Sequence, residues 1–80
     1  MTNAVLTAIK LERRSELIFR VLDREHGHIG NLKFASGAWK FKAIGYEPGH
    51  VVIPGGGPFT HRHNAIVSAP DAAELIHALK

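Results

Sequence analysis

Six histidines stand in this chain of 80 residues, and four of them form two spaced pairs, His26-x-His28 and His61-x-His63. In an extended segment such a pair points to one side, so each pair can offer two imidazoles to one metal ion. A closed zinc site takes four ligands and a catalytic one takes three plus a water, so the two pairs together would suffice. Both pairs lie in segments that read as loops, and no HExxH or comparable helical spacing accompanies them. Polar loop histidines are therefore the plainer reading, and a histidine-based metal-binding protein or small enzyme is the alternative.

A second group of candidates is the segment PGGGPFTHRHN, residues Pro54 to Asn64. Gly55, Gly56 and Gly57 let backbone amides approach an anion closely, and Thr60, His61, Arg62, His63 and Asn64 add side-chain donors. It is no Walker A loop, since GK[ST] is missing, and it is no GxGxxG turn after a strand. The competing reading is a rigid connection between a sheet and a helix. A polar loop of this length in so small a domain is somewhat costly unless used, which sets a ligand loop beside that connection.

The third group is a cationic surface. Two alternating runs in IGNLKFASGAWKFKAIGY, residues 29–46, flank Ser36-Gly37 and predict a β-hairpin with a two-residue turn. That register sets Ala35 opposite Ala38, Phe34 opposite Trp39, Lys33 opposite Lys40 and Leu32 opposite Phe41. One face is then Leu32, Phe34, Trp39, Phe41 and Ala43, all apolar. The other carries Asn31, Lys33, Lys40 and Lys42, and Arg20 joins it if the preceding strand turns Leu17 and Phe19 inward. Directly opposed lysines repel. A surface that tolerates them suits phosphate or another anion, with Arg62 as a further contact, or it is a solvated face that keeps a sheet soluble. Base-stacking readers expose aromatics beside their cations. Here only Tyr46 shares the lysine parity.

Other chemistries have little support. The chain has no cysteine, which excludes disulfides and thiolate zinc sites. Ser15, Ser36 and Ser68 fall in turn or cap contexts, and Asp23 with Glu25 reads as ordinary acid near a turn. No cofactor signature occurs, and the reading leans against an enzyme.

These groups must be positioned by few elements. Val5 to Glu12 alternates well enough for a strand, although a short helix also fits, and Arg13 to Glu16 reads as a turn. Leu17 to Asp23 is β-branched and aromatic, hence a strand, followed by a polar linker from Arg24 to His28. Glu47-Pro48-Gly49-His50 is a turn signal, and Val51 to Ile53 a short strand. Ile66 and Val67 read as a small extended piece. Ser68-Ala69-Pro70-Asp71 starts a C-terminal helix, with Ser68 expected as its cap, and Ala72, Leu75, Ile76 and Leu79 form one apolar stripe. The expected fold is α+β: one domain over residues 1–80, a small antiparallel sheet of three to four strands, and one C-terminal helix packed on one face.

Composition agrees with a soluble domain: 45% apolar, 21% charged, net charge +3 and a pI near 9.7. There is no membrane-length apolar run and no signal-peptide pattern, so the expected location is cytoplasmic. The basic balance raises the prospect of a nucleic-acid partner. The function expected from sequence is a non-enzymatic binding module for an anionic partner, either nucleic acid or an acidic protein surface. Homodimerisation is the remaining alternative for so small a core.

Overall fold

The computed structural model describes residues 9–80. Its strands are β1 (Lys10–Ser15), β2 (Ile18–Asp23), β3 (Gly27–Ala35), β4 (Ala38–Glu47), β5 (Val51–Pro54) and β6 (Ala65–Val67), and its helix is α1 (Ala72–Leu79). The first five strands form an antiparallel meander in chain order, and β6 also pairs with β4. The sheet thus has six strands rather than the expected three or four. The extra strands are the ones with the weakest patterns. β1 ends in Arg13, Arg14 and Ser15, whose polarity mimics a turn, and β6 is three residues long. Residues 5–8 of the expected first strand lie outside the described residues. Gly27 and His28, expected in a linker, begin β3.

The central hairpin has the register expected from its alternation, from Ala35 opposite Ala38 back to Leu32 opposite Phe41. Its turn places Ser36 at φ 54° and Gly37 at φ 78°. Two successive positive φ angles match the right-handed twist of the flanking strands.

Parity divides the sheet into two faces. The inner face carries Leu11, Phe19, Val21, Leu32, Phe41 and Ala43. Leu75 and Leu79 of α1 are buried in the same core, together with Val67 and Phe59. Each of these two leucines contributes about 1.5–3 kcal/mol by leaving water. Gly30 is required on this face, because a Cβ there would lie 2.7 Å from the Phe41 ring and 2.6 Å from the Lys42 carbonyl oxygen.

The helix cap differs from expectation. Asp71 is the N-cap, accepting from the Glu74 N–H at 3.0 Å, and Ser68 instead serves the Glu74 side chain. Ser68 donates its N–H at 2.7 Å and its hydroxyl at 2.8 Å to that carboxylate. Asp has one oxygen in reach of the third helical amide, while Ser68 is too far upstream.

β4 has two partners along one edge. β6 pairs with Trp39 to Phe41, and β5 pairs with Ile44 to Glu47. The interval at Ala43 is closed from the Pro54–Asn64 loop: Gly55 N–H donates to the Ala43 carbonyl at 2.7 Å, and Ala43 N–H donates to His63 Nδ1 at 3.0 Å. Asn64 N–H then donates to the Phe41 carbonyl at 2.7 Å. The loop approaches so closely that a Cβ on Gly45 would sit 2.5 Å from the Gly57 nitrogen.

Two measurements test this account. His63→Ala leaves the buried Ala43 amide without its acceptor and is expected to lower unfolding free energy by about 1–3 kcal/mol in urea titrations. His63→Asn, whose Oδ1 can replace Nδ1, should recover most of that loss. The Ser68 donors hold the Glu74 carboxyl below its ordinary pKa. A depressed folded pKa contributes stability that is present above the unfolded value and lost as pH falls through the folded one. Glu74→Gln should therefore flatten the acid limb of the stability–pH curve and leave the neutral region with the smaller slope.

Candidate functional site

The outer face is not covered by α1, and its cations are gathered by ordinary strand parity plus two bulges. Lys33 and Lys40 face each other, and Lys42 faces Asn31. Arg20 pairs with Asn31 on the other side and so joins the lysines, with Phe19 turned inward, whereas Leu17, expected inward with it, precedes β2 and is exposed. Lys10 and Glu12 of β1 follow the same parity.

The bulges bring two residues that alternation alone does not place here. In β1 the register shifts between Arg13 and Ser15, leaving Arg14 as the additional residue. In β3 the pairing passes from Val21–Gly30 to Leu22–His28, leaving Ile29 as the additional residue. A bulge re-aims neighbouring side chains. Ile29 turns into the core, where it is fully buried, and His28 emerges on the outer face beside Asn31.

These residues surround an open depression of about 400 Å³ lined by Arg14, Ile18, Arg20, His28, Asn31 and Tyr46. His28 is held at both nitrogens. Nε2 lies 3.0 Å from Asn31 Oδ1, and Nδ1 lies 2.6 Å from the Tyr46 hydroxyl. Asn31 Oδ1 only accepts, so Nε2 donates to it, and Nδ1 accepts the Tyr46 proton. The chain fixes the tyrosine ring, which remains 45% exposed. Arg20 Nη1 is paired with Glu12 Oε1 at 2.8 Å, which steadies the guanidinium and leaves its other N–H groups available. Among the described residues, no hydrogen bond engages the Arg14 guanidinium or the Asn31 amide nitrogen. The depression is consequently rich in donors, the property that suits it to an anion.

The glycine and histidine loop sits elsewhere. Gly45 belongs to the inner parity, and the loop packs against it there. The Gly55 and Gly56 amides donate to Ala43 and Ile53 carbonyls, so they do not cradle an anion. The Thr60 hydroxyl donates to the Gly55 carbonyl at 2.5 Å, and Arg62 donates to the main-chain oxygen of Lys80 at the end of α1. Arg62 is therefore apart from Lys33, Lys40 and Lys42. Asn64 accepts from Lys42 Nζ and is the one loop residue linked to that row.

The histidine pairs are not assembled. His26 donates from Nδ1 to Asp23 Oδ2 at 2.7 Å, at the β2–β3 turn, where Asp23 is 3% exposed and also accepts from the Glu25 and His26 amides. His28 lies on the outer face. His61 stacks near Phe59, while His63 is engaged with Ala43. Among the described residues no group of three or more His, Cys, Asp or Glu side chains is placed to hold a metal ion. No helix among them is long and apolar enough to cross a membrane.

No family model, curated protein or solved structure matches this chain.

The hydrogen-bond chain makes a spectroscopic prediction. At a pH where its ring is neutral, His28 should be the Nε2–H tautomer in long-range proton–nitrogen NMR correlations. Asn31→Ala should remove that preference, because no acceptor would then select Nε2 as the protonated nitrogen.

Proposed function

We propose that the protein is a non-enzymatic binding module whose outer sheet face holds an anionic partner, a phosphodiester chain in first place. The observation that carries this reading is the charge on that face. Among the described strand residues, Lys10, Arg14, Arg20, Lys33, Lys40 and Lys42 stand on it against one acid, Glu12, around a donor-rich depression. Neutralising phosphates releases condensed counterions, so such a surface binds nucleic acid with a steep salt dependence. The Lys33–Lys40 pair supports the same reading. Like charges directly opposed across a ladder weaken it, and departures from local optimality are characteristic of functional surfaces.

Two variants separate binding from mere solubility. Lys40→Glu converts the repulsive cross-strand pair to an attractive one and is expected to stabilise the fold by about 0.2–1 kcal/mol. The same change should weaken single-stranded oligonucleotide binding several-fold at low salt and reduce the salt slope. Glu12→Gln, which releases Arg20, should raise affinity. The measurement is fluorescence anisotropy with labelled single-stranded oligonucleotide at low and moderate salt, with poly-glutamate as the acidic-polypeptide comparison. Absence of binding at low salt, or affinity indifferent to both variants, would sink the proposal. Tighter binding of poly-glutamate than of oligonucleotide would assign the face to an acidic protein surface instead.

A further inference from the structure

We infer that the depression on the outer face is a subsite for a single nucleotide of a single-stranded chain, with its phosphate at Arg14 and Arg20 and its base against Tyr46. This rests on the reading of the outer face as anion-binding and adds to it a position and a ligand class.

The depression is two-sided in chemistry. At one end β1 and β2 supply two guanidinium groups, whose planar forks match phosphate geometry. At the other end β4 supplies the Tyr46 ring, half-exposed and held by its hydroxyl against His28. Arg20 stands across Asn31 from Lys42, and Tyr46 is four residues farther along β4, so the two ends are about 10 Å apart across the strands and about 13 Å apart along them. Side chains leaning in from both ends leave a span that one phosphate, one sugar and one base bridge. A volume of about 400 Å³ falls at the small-ligand end of binding pockets and is far too small for a duplex.

The middle of the depression provides edge recognition. The Asn31 amide nitrogen donates, since its side-chain oxygen is taken by His28 Nε2. A ring already fixed by His28 loses little rotamer freedom when a base stacks on it. Lys33, opposite Ile18, and Lys42, opposite Asn31, flank the depression where the neighbouring phosphates of a chain would continue. A free inorganic anion would use the arginine end alone and would leave the aromatic end without a role.

The test compares adenosine monophosphate, ribose 5-phosphate, adenosine and inorganic phosphate, titrated into nitrogen-15-labelled full chain and followed by amide and Tyr46 ring shifts. A stacked base contributes about 5- to 150-fold in affinity. Adenosine monophosphate should therefore bind at least 5-fold more tightly than ribose 5-phosphate, with shifts centred on Arg14, Arg20, Asn31 and Tyr46. Tyr46→Ala should abolish that ratio and leave ribose 5-phosphate binding in place, whereas Tyr46→Phe, which keeps the ring but loses its His28 anchor, should retain most of it. Equal binding of the two phosphates, or shifts centred away from the depression, would overturn the nucleotide subsite while oligonucleotide binding by Lys40-dependent contacts left the broader reading standing. Failure of every phosphate and of oligonucleotide at low salt would overturn both.

Discussion

The hydrogen bonding along the outer edge of β4 is the constraint on which the rest of the structure depends. No single strand occupies that edge. β5 takes one half and β6 the other, and the chain between them must return across Ala43 without leaving its amide and carbonyl unpaired. Gly55 and His63 meet that requirement, one with a backbone N–H and one with a ring nitrogen. The glycines then have a structural reason. Gly45 and Gly57 come together where a side chain on either would collide with backbone. Once the loop is seated, β6 is aligned on Trp39 to Phe41, and α1 follows directly onto the inner face. A buried amide without a partner costs about as much as a core truncation, so the closure and the core are comparable in weight.

That closure also determines which face of the sheet is left uncovered. It draws the loop to the inner side and the β4 edge, leaving the opposite face of the central strands to the lysines and arginines. The two bulges then complete the outer face. Ile29 would expose a large apolar side chain if β3 alternated without interruption. Its rotation into the core carries His28 outward to Asn31 and Tyr46. The gain from burying an isoleucine, about 1.5–3 kcal/mol, outweighs the disturbance to the ladder. A packing demand on one face thereby builds a polar arrangement on the other.

The parts legible in the sequence are those with an uninterrupted period. The Ser36-Gly37 hairpin could be registered residue by residue, and the Leu75, Ile76 and Leu79 stripe marked the helix, because each alternates or repeats over its full length. Lys33, Lys40, Lys42 and Arg20 were placed on one face by the same parity. Tyr46 shares that parity, but Arg14 and His28 are not legible as its neighbours, since bulges break the very alternation that parity relies on. A run such as RRSE carries no mark separating a polar edge strand from a turn. His63 was legible as a polar loop residue but not as an acceptor for Ala43, because that bond joins positions 20 residues apart. The His-x-His spacing misled for a related reason. It presumes an extended segment, and His61 lies in a 3-10 turn while His26 belongs to a turn built on Asp23.

The lysine pair at Lys33 and Lys40 connects the fold to the proposed function most directly. The hairpin turn and the aromatic inner face already lock the register, so the cross-strand repulsion cannot be relieved by a one-residue slip; that would move Phe41 and Leu32 to water. Burial of those two side chains is worth several times the repulsion of two solvated ammonium groups. The fold can therefore hold like charges at a spacing they would not choose, as a rigid sheet does and a flexible chain does not. Bringing an anion to such a surface relieves repulsion already present in the unbound protein, and the attraction is obtained without reorganising the side chains beneath it. Under the proposed function, the strain that the inner face imposes on the outer one thus becomes part of the driving force for binding.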